Sequence, residues 1–241
     1  MDALEAGKAP PFPLALLLPL TAVFFLLLLL MVRRAGSIAG SFLLVAIWLR
    51  VVSGAYHYIA LAPIVGGRSI NALLSVATVA VGVLVVSPRT FGPQWVKPIY
   101  ALLIVMLISS GINSTVGGAI DLFFKWGYVI VLIAPAREAM IRTSPNRILG
   151  LIAYCYAPIF VLQFMSLGLG LGKDTVGANA LSYIGGYNHE AAFSMMIVTF
   201  VLAIYLNTSI SFIAKAGFIL MGVFGIMLAN SAPSSSRSCR C

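Results

Sequence analysis

Residues 12–32 read FPLALLLPLTAVFFLLLLLMV, a run that contains no charged side chain. A helix needs about 20 consecutive apolar residues to cross the hydrocarbon core of a bilayer. The run therefore predicts a membrane-spanning helix at the start of the fold. It lacks the basic leader and the short apolar core of a secretory signal, so we expect this helix to be retained.

The whole chain has the composition of an integral membrane protein. Of its 241 residues, 61% are hydrophobic and 9% are charged, which leaves too little polar surface to cover a water-soluble globule. The formal net charge of +9 would suggest nucleic acid in a soluble protein. Here it is first explained by the tendency of Lys and Arg to stay on the cytoplasmic side. We expect membrane lipids, and no nucleic acid, as partners.

Further apolar runs follow along the chain, separated by short connectors. They predict an all-α fold, a polytopic transmembrane bundle of about eight helices in one domain, residues 1–229. Residues 230–241 are a low-complexity tail without an apolar period, which we expect to be disordered. The predicted spans are 12–32, 38–59, 70–86, 98–112, 120–136, 148–167, 191–206 and 210–229.

Basic residues predict the orientation of the bundle. Arg33 and Arg34 directly follow the first span, and the positive-inside rule places them in the cytoplasm with the N-terminus outside. With strict alternation, basic residues before the tail are more frequent on the inner side than on the outer side. The inner set is Arg33, Arg34, Arg89, Lys97, Arg137, Arg142 and Arg147, and the outer set is Lys8, Arg68 and Lys173.

Arg50 lies within the second predicted span, where a charge is costly and usually marks a function or a partner. Helical spacing places Ser53, Gly54 and His57 on the same face, leading toward the outer surface. We expect this stripe to face the bundle interior or a water-filled cavity. Two interpretations stay open: an Arg bonded to backbone carbonyls of a broken neighbouring helix, or an Arg that binds an anion below an outward-facing cavity.

The longest connector between predicted spans is residues 173–190, which ends in SYIGGYNHE. Gly185-Gly186 permits a tight turn. Asn188 can cap the seventh helix, and Glu190 in its first turn is favoured by the positive end of the helix dipole. Helix capping thus explains the Gly, Asn and Glu residues of this segment without a catalytic or binding role.

Capping does not explain His189, which lies beside Tyr183 and Tyr187 in a connector that also carries Lys173 and Asp174. Histidine is the side chain best suited to accept a proton near neutral pH. His189 is therefore the candidate general base of the chain.

Several other chemistries lose support from the sequence. Two His and three Cys without paired ligand spacing predict no metal site. There is no phosphate-binding glycine loop and no nucleophile elbow, so ATP-driven and serine-hydrolase functions are disfavoured. We expect no cofactor.

Two segments carry a resemblance to a known family. Residues 185–192, GGYNHEAA, run into a predicted helix, and residues 222–230, GVFGIMLAN, end the next one. Together they resemble the O-antigen ligase and polymerase family. In that family a Gly-rich external loop with a conserved Asn opens a helix, and the following helix ends in a short polar motif that contains an Arg. The detailed resemblance covers residues 185–230.

This resemblance implies a multi-pass glycosyltransferase of the bacterial inner membrane with a periplasmic active face. Such enzymes resemble C-type glycosyltransferases. They are thought to transfer a glycan from a polyprenyl diphosphate donor to a lipid A core or to another glycan, without metal or nucleotide. The expected partners are accordingly a polyprenyl-diphosphate-linked glycan donor and a lipid or glycan acceptor.

The same resemblance suggests roles for individual residues. A diphosphate leaving group requires cationic stabilisation, and an acceptor hydroxyl requires a base. We assign catalytic roles to Arg50, which would bind the diphosphate, and to His189, which would take the proton. Family members carry their key His in a later external loop, so the role of His189 is a hypothesis from its chemistry. The expected substrate-binding residues are Arg68, Lys173, Tyr187, Asn188 and Glu190.

The end of the sequence departs from the family pattern. After Asn230 the family places an Arg within a residue or two, followed by further helices and a large external loop, whereas this chain continues as SAPSSSRSCRC. We expect a C-terminally truncated or frame-shifted member, whose site can be incomplete.

Two other function classes stay open at this point. A small transporter or lipid-diphosphate flippase would be favoured by helices broken at Pro135 or Pro158 that meet at the bilayer midplane. A non-catalytic membrane component would be favoured by Arg50 bonded to backbone within a closed bundle.

Overall fold

The computed structural model describes residues 9–65, 68–92, 94–112, 116–175, 180–230 and 232–233. Over these residues the chain is all-α, as predicted, with small strand pairs in two of the connectors. Two short 3-10 turns, Pro88–Phe91 and Gln94–Val96, precede the fifth helix. The α-helices are Leu14–Arg34 (α1), Ile38–Ala55 (α2), His57–Ala60 (α3), Ile70–Val85 (α4), Lys97–Ile112 (α5), Val116–Arg142 (α6), Pro145–Gly168 (α7), Glu190–Leu206 (α8) and Phe212–Asn230 (α9).

Each predicted span coincides with one of the long helices. Six of these helices begin and end within three residues of the predicted bounds, while α6 is longer at both ends and α2 is shorter. Among the described residues, four helices are long and apolar enough to cross a membrane: α1, α2, α7 and α9. The apolar helices α4, α5 and α8 have 16, 16 and 17 residues. The long apolar helices indicate a membrane protein.

The second predicted span differs from the helix at its C-terminal end. α2 ends at Ala55, and Tyr56 forms a turn before α3. The Tyr56 carbonyl accepts hydrogen bonds from the backbone N–H groups of Ile59 (2.9 Å) and Ala60 (2.8 Å). The Tyr56 side-chain hydroxyl lies 2.9 Å from Thr21 Oγ1 on α1. Because the helix is interrupted, His57 does not continue the face of α2 that carries Arg50.

The strands form two small antiparallel sheets. Pro63–Val65 (β1) pairs with Arg68–Ser69 (β2) between α3 and α4. Lys173–Thr175 (β3) pairs with Ala180–Ser182 (β4), with Lys173 opposite Ser182. Ala232–Pro233 (β5) pairs with the other edge of β4. The rest of the predicted disordered tail, residues 231 and 234–241, lies outside the described residues.

The helices group into two compact units. Unit 1 comprises Met1–Leu30, Ile47–Ala60 and Leu149–Cys241, and unit 2 comprises Met31–Ala46 and Leu61–Ile148. In unit 1, α8 packs on α9, and Gly222 allows the close approach because a Cβ there would lie 2.4 Å from Val201 Cγ2. Small residues at helix contacts are the usual device for close packing in membranes.

In unit 2, α4 and α5 both pack against α6. Gly82 on α4 has the same role as Gly222, since a Cβ there would lie 2.0 Å from Val131 Cγ1 on α6 and 2.9 Å from Phe42 Cζ on α2. An apolar cluster packs α5 and the turn before it against α6. Its buried members are Val96, Leu103 and Ile130.

Proline residues lie inside three of the long helices without breaking them. α1 continues through Pro19, α6 through Pro135 and α7 through Pro158. A proline removes one helical hydrogen bond and bends the helix, but neighbouring groups can satisfy the freed carbonyl within a bundle. The half-helices that would favour a transporter are therefore not present at Pro135 or Pro158.

Candidate functional site

The candidate site is the segment Ser182–Glu190 together with the residues that contact it in unit 1. Its centre is a tight turn at Gly185 and Gly186, whose φ angles are +59° and +83°. Side-chain-bearing residues rarely adopt these angles. A Cβ at Gly185 would also lie 2.9 Å from the backbone carbon of Leu162. The predicted tight turn is thus present, and Gly185 is required by both conformation and space.

Two hydrogen bonds attach this turn to α2 and α3. The Nδ1 atom of His57 bonds to the Gly186 carbonyl oxygen. A carbonyl can only accept, so Nδ1 is the donor and Nε2 carries the lone pair. Nε2 is buried and has no hydrogen-bond partner among the described residues. The Tyr187 hydroxyl donates to the Val51 carbonyl at 2.7 Å.

Tyr187 is a packing residue in this structure. Its side chain is 4% exposed, and its ring lies against Gly54, where an added Cβ would be 2.3 Å from Tyr187 Cε1. The ring centroid is also 5.1 Å from that of Phe193 on α8. The expectation that Tyr187 binds substrate is therefore corrected, because its hydroxyl is engaged and its surface is covered.

Lys173 on β3 forms an ion pair with Glu190 at the end of the segment. Lys173 Nζ lies 2.9 Å from Glu190 Oε1 and donates to the Asn188 carbonyl at 2.7 Å. Ser182 Oγ also donates to Glu190 Oε1, at 3.3 Å. Lys173 is 8% exposed. The pair therefore holds the segment in place. Substrate binding by Lys173 and Glu190 stays a prediction.

The same network determines the ionisation of Glu190. Partial burial opposes its negative charge. The hydrogen bond from Lys173, a backbone hydrogen bond, the positive charge of Lys173 and the hydrogen bond from Ser182 together outweigh burial, so the pKa of Glu190 is lowered. Glu190 is the first residue of α8, where the helix dipole also favours a carboxylate. Glu190 is consequently a carboxylate at neutral pH.

Asn188 does not cap α8 as the sequence suggested. The N-cap residue is His189, with φ −122° and ψ 118°, and its side chain makes no capping hydrogen bond within the described residues. Asn188 Nδ2 lies 3.5 Å from His189 Nε2. The Asn188 Oδ1 atom is buried without a hydrogen-bond partner in the part of the chain that the structure describes. The helix begins one residue later than a cap at Asn188 requires.

The predicted catalytic side chains are both accessible. His189 is exposed at the start of α8, and Arg50 is exposed on α2. The Arg50 carbonyl accepts a hydrogen bond from Ser53 Oγ at 3.2 Å, and the next residue, Val51, is the one that accepts from Tyr187.

Arg68 is the member of the predicted set that belongs to unit 2. Its backbone forms β2 in unit 2, and its side chain lies outside the described residues. The other predicted site residues, Arg50, Lys173, Tyr187, Asn188, His189 and Glu190, all belong to unit 1.

Gln163 is a buried residue that sequence reasoning missed. It is 0% exposed on α7, and its Nε2 donates to the carbonyls of Tyr183 (2.9 Å) and Gly225 (2.7 Å). The Tyr183 N–H in turn donates to the Leu228 carbonyl at 2.9 Å. A single Gln inside an otherwise apolar span is the signal that could have revealed it, because buried amides in membranes require partners.

The second half of the family resemblance is connected to the first. Asn230 Nδ2 at the end of α9 donates to Ser194 Oγ on α8, at 3.3 Å, and β5 follows directly to pair with β4. Tyr183, which follows β4, is also linked to α9. Its N–H donates to the Leu228 carbonyl, and its carbonyl accepts from Gln163, which also bonds to Gly225. Residues 182–194 and residues 225–230 therefore form one connected polar network at one end of unit 1.

Chemically, this network offers an accessible imidazole at the start of a helix and a fixed ion pair beside it. Among the described residues, no group of three or more His, Cys, Asp and Glu side chains could hold a metal ion. Comparisons with protein-family models, with curated proteins and with solved structures gave no match to this chain.

Proposed function

We propose that this chain is a membrane glycan ligase or polymerase of the O-antigen ligase type. In this proposal its long helices form an eight-span bundle of the bacterial inner membrane, with the N-terminus and the His189 face in the periplasm. The enzyme transfers a glycan from a polyprenyl diphosphate donor to a lipid A core or to a glycan acceptor. Neither metal nor nucleotide takes part.

The observation that carries the proposal is that residues on either side of the first family-like segment are hydrogen-bonded to the second. Residues 185–192 and 222–230 are separated along the chain by α8. Gln163 bonds to the carbonyls of Tyr183 and Gly225, and Asn230 bonds to Ser194. Motifs that belong to one active site must lie close in space. The bonds of Tyr183 and Ser194, on either side of residues 185–192, to Leu228 and Asn230 support this arrangement.

In the proposed reaction, His189 Nε2 or Nδ1 removes the proton of the acceptor hydroxyl. The hydroxyl oxygen then attacks the anomeric carbon, the bond from that carbon to the diphosphate oxygen breaks, and the polyprenyl diphosphate leaves with the electron pair. Exposed guanidinium groups can bind the departing diphosphate through two parallel hydrogen bonds, and Arg50 has this role. The Lys173–Glu190 pair acts as a positioning element that fixes the start of α8.

A transfer assay tests the roles of His189 and Arg50. The purified chain is placed in proteoliposomes with a polyprenyl-diphosphate-linked oligosaccharide and a labelled acceptor, and product is quantified by gel. Removal of a general base lowers a rate by about 100-fold to 10,000-fold, so His189→Ala should lose transfer by that factor. Arg50→Lys should also impair transfer, because Lys cannot form the bidentate contact.

Asp174→Asn is the matched control, since Asp174 is an exposed polar residue of β3 in the same connector. It should transfer at the wild-type rate. Equal rates for wild type and His189→Ala would remove His189 from the reaction. Wild-type protein that transfers no glycan to either a lipid or a glycan acceptor would contradict the proposed activity itself.

The proposed topology has a separate test. A reporter fused after Ser209, in the turn between α8 and α9, should give a cytoplasmic signal. A periplasmic signal there would reverse the orientation of α8 and place His189 on the cytoplasmic side, which is incompatible with a periplasmic active face.

A further inference from the structure

Two turns of unit 2 are joined by a hydrogen bond at the end of α6. The Thr143 hydroxyl, just after α6, donates to the Ala35 carbonyl between α1 and α2, at 3.1 Å. The fit is close, because a Cβ at Gly36 would lie 3.0 Å from Thr143 Oγ1, and Gly36 has φ +71°. The α1–α2 turn and the α6–α7 turn therefore lie side by side.

The connector between α4 and α5 reaches the same end of α6. The Thr90 hydroxyl donates to Glu138 Oε2 at 2.9 Å, and Thr90 is buried. Glu138 and Thr143 are five residues apart, about 7.5 Å along a helix. Three connectors that are distant in sequence thus meet within about two turns of α6.

These connectors carry a concentrated positive charge. The connectors and the helix ends beside them contain seven basic residues, all exposed, and one acid, Glu138, whose Oε1 lies 2.8 Å from Arg142 Nε. The net charge of the set is +6. We name it the basic face; its members are Arg33, Arg34, Arg89, Lys97, Arg137, Arg142 and Arg147.

The lengths of the adjoining helices place the basic face at the level of lipid headgroups when these helices span a bilayer. α1 ends at Arg34, α2 begins at Ile38 and α7 begins at Pro145, so three of the four helices that are long and apolar enough to cross a membrane have an end here. An apolar helix of that length places its ends at the membrane surface. Six of the seven side chains are Arg, and guanidinium groups match the geometry of phosphate oxygens.

We propose that the basic face is a binding surface for the phosphate headgroups of anionic phospholipids. Clustered basic residues next to membrane-spanning helices attract anionic lipids strongly enough to hold them against exchange with neutral ones. The convergence of three connectors matters because one headgroup can contact residues from more than one of them. Bound lipid would then tie the α1–α2, α4–α5 and α6–α7 connectors together.

Lipid-binding measurements on the full chain test this surface. The purified protein in neutral detergent is titrated with phosphatidylglycerol or with phosphatidylcholine, and bound lipids are counted by native mass spectrometry. Wild type should prefer phosphatidylglycerol. Each charge near an anionic headgroup is worth about fivefold in affinity, so the triple variant Arg33→Gln, Arg34→Gln, Arg89→Gln should bind phosphatidylglycerol up to about 100-fold more weakly.

Two controls separate charge from folding and from general basicity. The variant Arg33→Lys, Arg34→Lys, Arg89→Lys keeps the charge and should retain most of the preference for phosphatidylglycerol. Lys215→Gln removes a basic residue of unit 1 that bonds to the Tyr205 carbonyl, and it should leave the preference unchanged. Circular dichroism confirms that each variant is folded.

For wild type, the affinity for phosphatidylglycerol should also fall as NaCl is raised, because salt screens exposed charges. This measurement keeps the proposal testable if the Gln variant fails to fold. Equal binding of the two lipids by wild type, an affinity that does not change with salt, or undiminished binding by a folded Gln variant would each overturn the proposal. None of these outcomes depends on glycan transfer.

Discussion

The Tyr187 hydroxyl donates a hydrogen bond of 2.7 Å to the Val51 carbonyl, across 136 residues of sequence. This bond joins the segment before α8 to α2, and Tyr187 fills the space that Gly54 leaves open. A residue that the sequence assigned to substrate binding instead connects two distant parts of unit 1. Replacing Tyr187 by Phe removes the hydrogen bond and keeps the packing of the ring, so the two contributions to stability can be measured separately.

Tyr187→Phe should lower the free energy of unfolding by about 0.5–1.5 kcal/mol, because it deletes one buried hydrogen bond and keeps the ring. Denaturation by sodium dodecyl sulfate in mixed micelles, followed by circular dichroism, measures the change. Tyr154→Phe is the control, since Tyr154 is 68% exposed on α7 and should lose almost nothing. A Tyr187→Phe protein as stable as wild type would show that the bond contributes nothing net.

Gly185→Ala should destabilise the protein by about 2–4 kcal/mol, through the strained left-handed backbone and the contact with Leu162. Gly217→Ala should instead be neutral or stabilising by up to about 1 kcal/mol. Gly217 is inside α9, and nothing lies within 4 Å of an added Cβ among the described residues. Thermal melting in detergent compares the two variants. Similar melting temperatures for both would contradict the conformational argument.

His57→Ala should cost about 1–3 kcal/mol, because the Gly186 carbonyl would lose its donor in a buried position. His189→Ala should change stability by no more than about 0.5 kcal/mol, since His189 is exposed. The same denaturation measurement applies to both. If His189→Ala were the more destabilising of the two histidine variants, the assignment of His57 as the structural residue would be wrong.

The Lys173–Glu190 pair should make stability depend on pH in the acid range. The pKa of Glu190 is lowered below its ordinary value of 4.5 in the folded protein, so the folded state binds its proton less readily than the unfolded state. The contribution of Glu190 is therefore fully present above that ordinary value and is lost as the pH falls through the lowered pKa. Melting temperature measured from pH 6 downward should show this loss.

Glu190→Gln should be less stable than wild type at pH 6, and the difference should shrink as the pH falls. Asp174→Asn is the matched control, because Asp174 is an exposed acid of the same connector. A constant difference between Glu190→Gln and wild type across this range would exclude the ion pair as its cause.

Much of the helical framework could be predicted from local composition. The apolar run before Arg33 became α1, and the runs around Ile70, Lys97 and Phe212 became α4, α5 and α9, because the length of an apolar run alone decides whether a helix can form in a bilayer. The tight turn at Gly185 was likewise visible, since glycine is the residue that a positive φ requires.

The roles of individual site residues depended on contacts between distant segments. Asn188 and His189 are adjacent, and the side chain of neither makes a capping hydrogen bond to α8 within the described residues. The Asn188 carbonyl instead accepts a hydrogen bond from Lys173, a residue of β3. Gln163 connects Tyr183 with Gly225, which are far apart in sequence. No periodicity in the sequence carries this information.

The sequence by itself determined the class of the chain, the positions of its long helices and the need for glycine at Gly185. Only the tertiary structure decided that Tyr187 is buried against Val51 while His189 and Arg50 stay exposed, and that three connectors with basic residues in or beside them meet at the end of α6. The physical reason is the separation along the sequence of the residues that interact. Helix formation follows from neighbouring residues, whereas burial and hydrogen-bond partners are determined by packing between segments that the chain brings together only when it folds.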